Sequence, residues 1–330
     1  MSTRPKILVT QHIHEDVQRR LSAHGELDMN TGPDPWPASE VIRRAAQATA
    51  IMGFMTDQVD QNLLRAAPHL EIVACALKGF DNFDVQACTE AGVWLSIVPD
   101  LLTEPTAELA VGLAITLARH VRQGDAYVRS GNFEGWRTHF YGTGLHGSVA
   151  AVVGLGHVGR AIVQRLSGFG CARILGVDPG AAPPGVEMVA LETAAKQADF
   201  LFVAAPLTAS TRHLVGDAQF EQARAGQLVI NIGRGSVVDE AAVLRAIKAG
   251  RLGGYAADVF ACEDWQLNDR PRVISPELLA QDNTVFTPHI GSAVHRVRVA
   301  IEQSAADNII AVLQGRNPPD AINMPHKVAA

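Results

Sequence analysis

Short apolar runs alternate with amphipathic segments along the first hundred residues. The runs at 7–10, 51–55, 71–77 and 93–98 predict strands, because buried parallel strands read as continuous apolar stretches. Between them, residues 15–23 and 39–46 have the spacing of amphipathic helices, and a proline-rich loop (31–39) leads into the second helix. Strands and helices that alternate in this way form a parallel sheet with crossover helices. The pattern therefore predicts an α/β domain in this part of the chain.

A longer series of the same kind begins at residue 149. Apolar runs at 149–153, 173–177, 200–205, 228–232, 254–259 and 284–286 predict six strands, with helices after the first run and at 218–223 and 240–249. Six such strands match a doubly wound, dinucleotide-binding sheet. The predicted fold class is thus α/β, with two Rossmann-like or flavodoxin-like domains whose parallel sheets flank a cleft.

The boundary between the domains is marked by the segment 99–105 (PDLLTEP), after which residues 106–121 predict one long apolar helix. From residue 292 the pattern is again a single helix, to about residue 314, followed by a polar, proline-rich tail. A last helix that returns to the first domain makes that domain discontinuous. We therefore expect a substrate domain of residues 1–102 and 292–330 and a cofactor domain of residues 103–291. The glycine- and aromatic-rich segment 130–147 predicts an ordered arm.

The bulk composition excludes several classes of function. The chain has 330 residues, 47% of them hydrophobic and 19% charged, with a net charge of −6 and a pI near 6.0. A chain with this net negative charge lacks the excess of basic residues that favours binding to nucleic acid or to an anionic membrane. There is no apolar run of about 20 residues, and a strand begins at once with no signal peptide. Four scattered cysteines lack metal-ligand spacing, so we expect reduced thiols, no metal site and a cytoplasmic protein.

The most specific motif is a glycine loop, GLGHVG, between a predicted strand and a predicted helix. Gly154 permits a tight turn, Gly156 lets the backbone approach a pyrophosphate, and Gly159 lets the helix pack closely on the strand. His157 lies inside the loop, where we expect a backbone contact with the cofactor. An ordinary glycine turn is the alternative, but the strand, loop and helix together favour a dinucleotide site.

The next predicted strand ends at Asp178, about 20 residues beyond the loop, where an acidic residue bonds the adenosine ribose. Pro179 follows, and no arginine stands directly after it to receive a 2′-phosphate. A carboxylate at this position repels such a phosphate, so the sequence favours NAD over NADP.

Open α/β sheets bind ligands at the carboxyl ends of their strands, so we expect the reactive side chains there. Arg234, between two glycines, can hold an anion by paired hydrogen bonds, although an arginine there is often a surface residue. His289 ends the last predicted strand and suits acid–base chemistry. An acidic partner such as Glu263 would fix its tautomer. Singly, each residue is also compatible with a structural role.

In the first domain, Lys78 ends a predicted strand and is followed by Gly79. It would face the cleft as a second cation for an anionic substrate; the alternative is a solvated lysine in a turn. His12 and His14 lie near the end of the first strand, where a local or packing role is favoured over catalysis.

GLGHVG, NIGRGSVVDE, AADVFACED and TPHIGSA occur in this order along the chain. With this spacing, the sequence resembles the D-isomer-specific 2-hydroxyacid dehydrogenase family over its whole length. The resemblance implies that Arg234, Glu263 and His289 form the catalytic set. It also implies two α/β domains around a cleft and homodimers formed through the cofactor domain.

Within that family the sequence is most similar to the phosphite (phosphonate) dehydrogenases. CALKGFDNFD, VPDLLTEPTAELAVGLA, RSGNFEGW with FYGTGL, and FTPHIGSAV carry this likeness, together with Asp264 and Trp265 after Glu263, where other members commonly have proline. The segment 178–189 is shorter than expected for that branch. The resemblance implies substrate contacts from Met55, Lys78, Gly79 and Arg298. It implies cofactor contacts from Thr106, Gly154, Gly156, His157, Val158, Gly159, Asp178, Ala204, Ala205, Pro206, Ile232, Asp258, Gly291 and Ser292.

The resulting hypothesis is NAD-dependent oxidation of phosphite to phosphate, with Arg234 and Lys78 on the phosphite oxygens and His289 as base for the attacking water. The first alternative is a D-2-hydroxyacid dehydrogenase acting on glyoxylate, hydroxypyruvate or a related acid with the same residues. A non-catalytic, NAD-sensing regulatory protein is the alternative from another class.

Overall fold

The computed structural model describes residues 4–98, 100–180 and 182–325. Pro99 of the predicted boundary segment and the last residues of the predicted tail lie outside these ranges. The chain divides into two compact units: a first one made of the residues up to 102 and from 293 onward, and a second one of residues 103–292. The second boundary falls one residue after the expected position.

The first unit contains a five-stranded parallel sheet of order β2-β1-β3-β4-β5. Its strands are β1 (Lys6–Val9), β2 (Glu26–Met29), β3 (Ala50–Gly53), β4 (Ile72–Cys75) and β5 (Trp94–Ser96). All residues of β3 and β4 are buried, which explains why these strands read as apolar runs. The edge strand β2, with sequence ELDM, was not predicted; its residues are half-buried or exposed.

Helices cover both faces of this sheet. They are α1 (Glu15–His24), α2 (Ala38–Ala45), α3 (Gln61–Ala66), α4 (Val85–Glu90) and, from the end of the chain, α12 (His295–Leu313). Asp60 caps α3 by accepting the backbone N–H groups of Asn62 and Leu63. Ile301, Ala305 and Ile309 of α12 are buried in the same core cluster as the β1, β3 and β4 side chains, so the last helix belongs to the first unit.

The second unit contains a seven-stranded parallel sheet of order β12-β11-β10-β9-β6-β7-β8. Its strands are β6 (Val149–Val153), β7 (Arg173–Val177), β8 (Glu187–Met188), β9 (Phe200–Val203), β10 (Gln227–Asn231), β11 (Leu252–Ala257) and β12 (Thr284–Phe286). This is the doubly wound order of dinucleotide-binding sheets with one further strand. The two-residue edge strand β8 is the addition to the six predicted strands. The expectation of two α/β domains with parallel sheets is confirmed.

The helices of the second unit are α5 (Thr103–Ala118), α6 (Val121–Arg129), α7 (His157–Gly168), α8 (Leu191–Gln197), α9 (Asp217–Phe220), α10 (Glu240–Lys248) and α11 (Pro276–Leu279). The helix predicted over 106–121 ends at Ala118, because His120 has a left-handed conformation with φ of 52°. In the described ranges, no helix is both long and apolar enough to cross a bilayer.

Candidate active site

The glycine loop between β6 and α7 has the shape that its sequence predicts. Gly154 has φ of +90°, and a Cβ there would lie 2.7 Å from the backbone nitrogen of Ala205. A Cβ on Gly159 would overlap the carbonyl oxygen of Gly154, whereas one on Gly156 would have no protein atom within 4 Å. The first and third glycines thus allow close packing, and the second leaves open space at the N-terminus of α7, where a pyrophosphate fits.

Asp178 follows β7 and joins it to this loop. One carboxylate oxygen accepts the N–H of Leu155 at 2.7 Å, and the other accepts the N–H of Gly180 at 2.7 Å. Each oxygen has a second lone pair, so the half-buried side chain can also accept a ribose hydroxyl. The geometry at the adenosine end therefore fits NAD.

The other predicted cofactor residues of this unit lie at the carboxyl ends of neighbouring strands. Ala204, Ala205 and Pro206 follow β9, and Ile232 follows β10. A Cβ on Gly291 would lie 3.1 Å from Thr106 Oγ1 and 3.2 Å from Asp258 Oδ2, which places the start of α5 beside the turn after β12. The strand ends thus bring much of the predicted cofactor set to one edge of the sheet.

His289 and Glu263, the predicted acid–base pair, lie within hydrogen-bond distance of each other. His289 Nδ1 lies 2.7 Å from Glu263 Oε2, and Glu263 Oε1 accepts the backbone N–H of Phe260 at 2.9 Å. The imidazole and the carboxylate are each about one-third exposed, at 30% and 32%. Because Glu263 occupies Nδ1, Nε2 is the nitrogen available for proton transfer.

A buried carboxylate supports the turn that carries His289. Asp258 accepts the hydroxyl of Thr287 at 2.6 Å and the N–H groups of Ile290 and Gly291 at 2.8 Å each. Burial raises the pKa of Asp258, while the hydrogen bonds from Thr287 and the backbone act in the opposite direction. His289 itself has φ of 54°, a left-handed conformation. Asp258 was predicted as a cofactor contact, which stays a prediction; its carboxylate holds the turn that carries His289.

Arg234 follows β10 and precedes a short 3-10 helix of residues 235–237. It is half-buried, and its Nη1 donates to the carbonyl oxygen of Gly233 at 2.9 Å. A Cβ on Gly235 would overlap the backbone of Phe260, so the arginine loop lies directly against the segment that leads to Glu263. The three predicted catalytic residues therefore lie on adjoining loops after β10, β11 and β12.

Two further carboxylates in these loops were not predicted as site residues. Asp264, which is 5% exposed, accepts the N–H of Ser236 at 2.6 Å. Glu240 accepts the N–H of Ala261 at 2.8 Å. Burial raises the pKa of Glu240, the hydrogen bond from Ala261 lowers it, and nearby Asp264 and Glu263 raise it further. The sequence signal for Asp264 was its position directly after Glu263, the predicted catalytic glutamate.

The predicted substrate residues of the first unit belong to several elements. Lys78 follows β4, and its Nζ lies 2.9 Å from Asp100 Oδ1. The carbonyl oxygen of Met55 accepts the side-chain N–H of Asn82 at 2.8 Å, which ties the loop after β3 to the loop that contains Lys78 and Gly79. Their role toward a substrate stays a prediction.

Arg298 lies in α12 beside an unpredicted buried acid. Burial lowers the pKa of Arg298, and Glu302 opposes that shift. Glu302, only 3% exposed, accepts the backbone N–H of His14 at 2.9 Å and lies 2.8 Å from His14 Nδ1. Across the described ranges, no cluster of three or more histidine, cysteine or acidic side chains could hold a metal ion.

A nucleotide-binding sheet with an arginine and a histidine–glutamate pair at its carboxyl edge defines the class of dinucleotide-dependent oxidoreductases. The model of the D-isomer specific 2-hydroxyacid dehydrogenase NAD-binding domain matches residues 111–291. The chain belongs to that family and is an NAD-dependent oxidoreductase.

Individual relatives are similar to this chain over almost its full length. The chain is 33% identical to a glyoxylate reductase of Thermococcus litoralis, with 97% of each chain covered. A protein of solved structure from Thermus thermophilus superimposes with a TM-score of 0.89 at 31% identity, covering 96% of this chain and all of that one. An NADPH-dependent glyoxylate/hydroxypyruvate reductase of Sinorhizobium meliloti, solved with NADP and malonate, gives a TM-score of 0.83 at 30% identity, with 97% of each chain covered.

Proposed function

We propose that the protein oxidises phosphite to phosphate with NAD. The reaction type is supported by one observation above all, the hydrogen bond between Glu263 and His289 beside the Arg234 loop. The choice of phosphite is supported by the sequence segments listed for that branch of the family, and by Asp264 and Trp265 after Glu263. In the balanced reaction, phosphite, water and NAD⁺ give phosphate, NADH and a proton.

In this proposal each site residue has a definite task. Arg234 pairs with phosphite oxygens, where fixed positive charge stabilises the negative charge redistributed in the transition state. His289 takes a proton from water through Nε2 while the water oxygen bonds to phosphorus and the P–H hydride leaves. Glu263 holds the imidazole in one tautomer and stabilises the imidazolium. When bound, NAD supplies the hydride acceptor at nicotinamide C4.

The first unit contributes the remaining substrate residues in the proposal. Lys78 supplies a second cation, Met55 and Gly79 line the substrate, and Arg298 lies near it. Since the charge of Lys78 would act mainly on binding, Lys78→Ala should raise the KM for the anionic substrate about 10-fold or more. An unchanged KM would remove Lys78 from the site. The matched control is Lys196→Ala, in α8 of the other unit.

Glyoxylate or hydroxypyruvate reduction is the second candidate, and the names of the relatives favour it. In that reaction Arg234 would hold the carboxylate, and His289 would donate a proton to the carbonyl oxygen that becomes the hydroxyl. Identity to the Thermococcus litoralis enzyme is 33%, so specificity can differ while the catalytic set is retained.

One panel of assays separates the candidates. Purified protein is mixed with NAD and phosphite, D-lactate, D-glycerate or buffer, and separately with NADH and glyoxylate or hydroxypyruvate, while absorbance at about 340 nm is followed. NADH formation with phosphite, matched by an equal amount of phosphate, would support phosphite oxidation. NADH consumption with glyoxylate and no reaction with phosphite would establish the second candidate. Tight NADH binding without turnover of any substrate would support a sensor.

We propose further that the protein forms a homodimer through the face around α6 and the arm that follows it. Val121 and Val128 on α6 are about half exposed, and Trp136 and Tyr141 in the arm are 79% and 77% exposed. Tyr127 orders this face through ring contacts with Phe133, His139 and Phe140. Exposed apolar patches of this kind favour a protein partner. A monomer in sedimentation at micromolar concentration would contradict the proposal.

A further inference from the structure

The loops that carry Arg234 and Glu263 belong to different strands, yet they form one packed unit. Arg234 begins the turn after β10, and Glu263 ends a 3-10 helix of residues 261–263 after β11. The backbone of Gly235 approaches Phe260 so closely that any Cβ would overlap it. The relative position of the arginine and the glutamate therefore depends on what holds these two backbones together.

The contact that joins them is made by a buried side chain. Asp264, adjacent to Glu263, is 5% exposed and accepts the N–H of Ser236, which is itself 2% exposed, at 2.6 Å. The carbonyl oxygen of Ser236 accepts the N–H of His213 at 2.7 Å. Ser236 is thus fixed at both its N–H and its carbonyl group, two residues after Arg234.

A second carboxylate fixes the other loop. Glu240, at the start of α10, accepts the N–H of Ala261 at 2.8 Å. The two loops are therefore joined twice. Asp264 of the glutamate loop accepts from Ser236 of the arginine loop, and Glu240, which follows the arginine loop, accepts from Ala261 of the glutamate loop. Charge-assisted hydrogen bonds of this type are stronger than neutral ones.

We propose that Asp264 is a positioning residue that sets the place of Arg234 relative to the Glu263–His289 pair. Its carboxylate clamps Ser236, and through that residue it holds the arginine where an anionic substrate meets the base. The proposal rests on the proposed function for its kinetic consequences. It assigns to Asp264 an effect mainly on the anionic substrate, because the glycine loop and Asp178, the predicted pyrophosphate and ribose contacts, follow β6 and β7 and not the strands whose loops Asp264 joins.

The test compares Asp264→Ala with Asp264→Asn. Asparagine keeps one oxygen that can accept the Ser236 N–H, whereas alanine removes the acceptor. We expect Asp264→Ala to lower kcat/KM for the acid substrate about 10- to 100-fold, since small displacements of catalytic groups have effects of this size. We expect Asp264→Asn to stay within about threefold of wild type and the Kd for NADH to stay within about twofold in both variants.

Asp199→Ala is the matched control in the same unit. Asp199 accepts the N–H of Val149 at 2.8 Å at the amino ends of β6 and β9, the opposite edge of the sheet. This variant also loses a hydrogen bond from a backbone N–H to a carboxylate, but it should keep wild-type kcat/KM. All variants are assayed at a temperature at which circular dichroism shows them folded.

Amide hydrogen exchange measures the clamp without using turnover. Exchange at Ser236 should be faster in Asp264→Ala than in wild type, Asp264→Asn or Asp199→Ala. Wild-type kcat/KM in Asp264→Ala, or an equal loss in Asp199→Ala, would overturn the positioning role, as would unchanged Ser236 exchange. If wild type turns over neither phosphite nor glyoxylate, the proposed function fails, and Ser236 exchange still decides whether Asp264 clamps the loop.

Discussion

The two carboxylate oxygens of Glu263 have different partners: Oε2 lies 2.7 Å from His289 Nδ1, and Oε1 accepts the backbone N–H of Phe260 at 2.9 Å. A single side chain thus fixes both the imidazole and the backbone of the loop from which it extends.

Glu263→Gln should therefore lower kcat about 100-fold. In glutamine an NH2 group, which only donates, replaces one of the two oxygens that Phe260 and His289 contact, and the imidazolium loses its counter-charge. Steady-state kinetics would check this, with Glu277→Gln as control because Glu277 pairs with Lys248 on the exposed surface. Wild-type kcat in Glu263→Gln would contradict the assignment.

Two glycines of one loop should respond differently to alanine. Gly156→Ala adds a methyl group to open space, so the melting temperature should hold while NADH affinity falls about 10-fold, since the methyl lies where the pyrophosphate approaches. Gly159→Ala should lower the free energy of unfolding by about 1–3 kcal/mol, because its Cβ would overlap Gly154. Fluorescence titration and thermal melts distinguish the two effects. Equal NADH affinity in Gly156→Ala and wild type would exclude the loop as the pyrophosphate site.

Asp57 should make the first unit less stable as the pH rises. Burial raises the pKa of this carboxyl to about 6, against opposing hydrogen bonds from Thr10 and the backbone of Phe54. The folded state therefore binds more protons than the unfolded state between about pH 4 and 6, and stability falls as the pH rises through this range.

The change should amount to about 3 kcal/mol, at about 1.4 kcal/mol per pKa unit. Asp57→Asn removes the titration and should flatten this part of the curve. Urea unfolding can be followed by Trp36 and Trp94 of the first unit after Trp136 and Trp265 are replaced by phenylalanine. Parallel pH curves for the two proteins would show that Asp57 does not titrate in this range.

Two acids on α12 should differ in their effect on stability. Glu302 is buried, accepts the backbone N–H of His14 and contacts His14 Nδ1, and its charge acts on half-buried Arg298. Glu302→Ala removes the carboxylate from all of these groups and should cost about 2 kcal/mol or more. Asp307 pairs with Arg20 on the surface, and Asp307→Ala should cost less than about 1 kcal/mol. The same urea experiment measures both. Equal losses would refute the idea that the contacts of Glu302 stabilise the fold more than a surface ion pair does.

The apolar runs predicted most of the fold because central parallel strands are buried on both faces. The edge strands β2 (ELDM) and β8 (Glu187–Met188) were missed because their residues are half-buried or exposed, so their sequences do not form apolar runs. The end of α5 was also missed, because no proline or glycine marks the left-handed turn at His120.

The sequence motifs predicted the side chains expected to act on the substrate, but not the carboxylates that hold their loops in place. Arg234, Glu263 and His289 stand at strand ends, where an open α/β sheet places its ligands. The carboxylates behind them were not predicted as supports, because Asp264, Glu240 and Asp258 act on backbone groups up to 33 positions away, as Asp258 does on Gly291. Such contacts depend on how the loops fold together, which local sequence does not encode.

The most direct test of the proposed reaction uses phosphite in which the hydrogen on phosphorus is replaced by deuterium. If the P–H bond supplies the hydride, NADH isolated from the reaction should carry one deuterium at nicotinamide C4, in an amount equal to the phosphate formed, as read by mass spectrometry and NMR. NADH without deuterium, or no phosphite-dependent NADH while glyoxylate is reduced, would contradict phosphite oxidation.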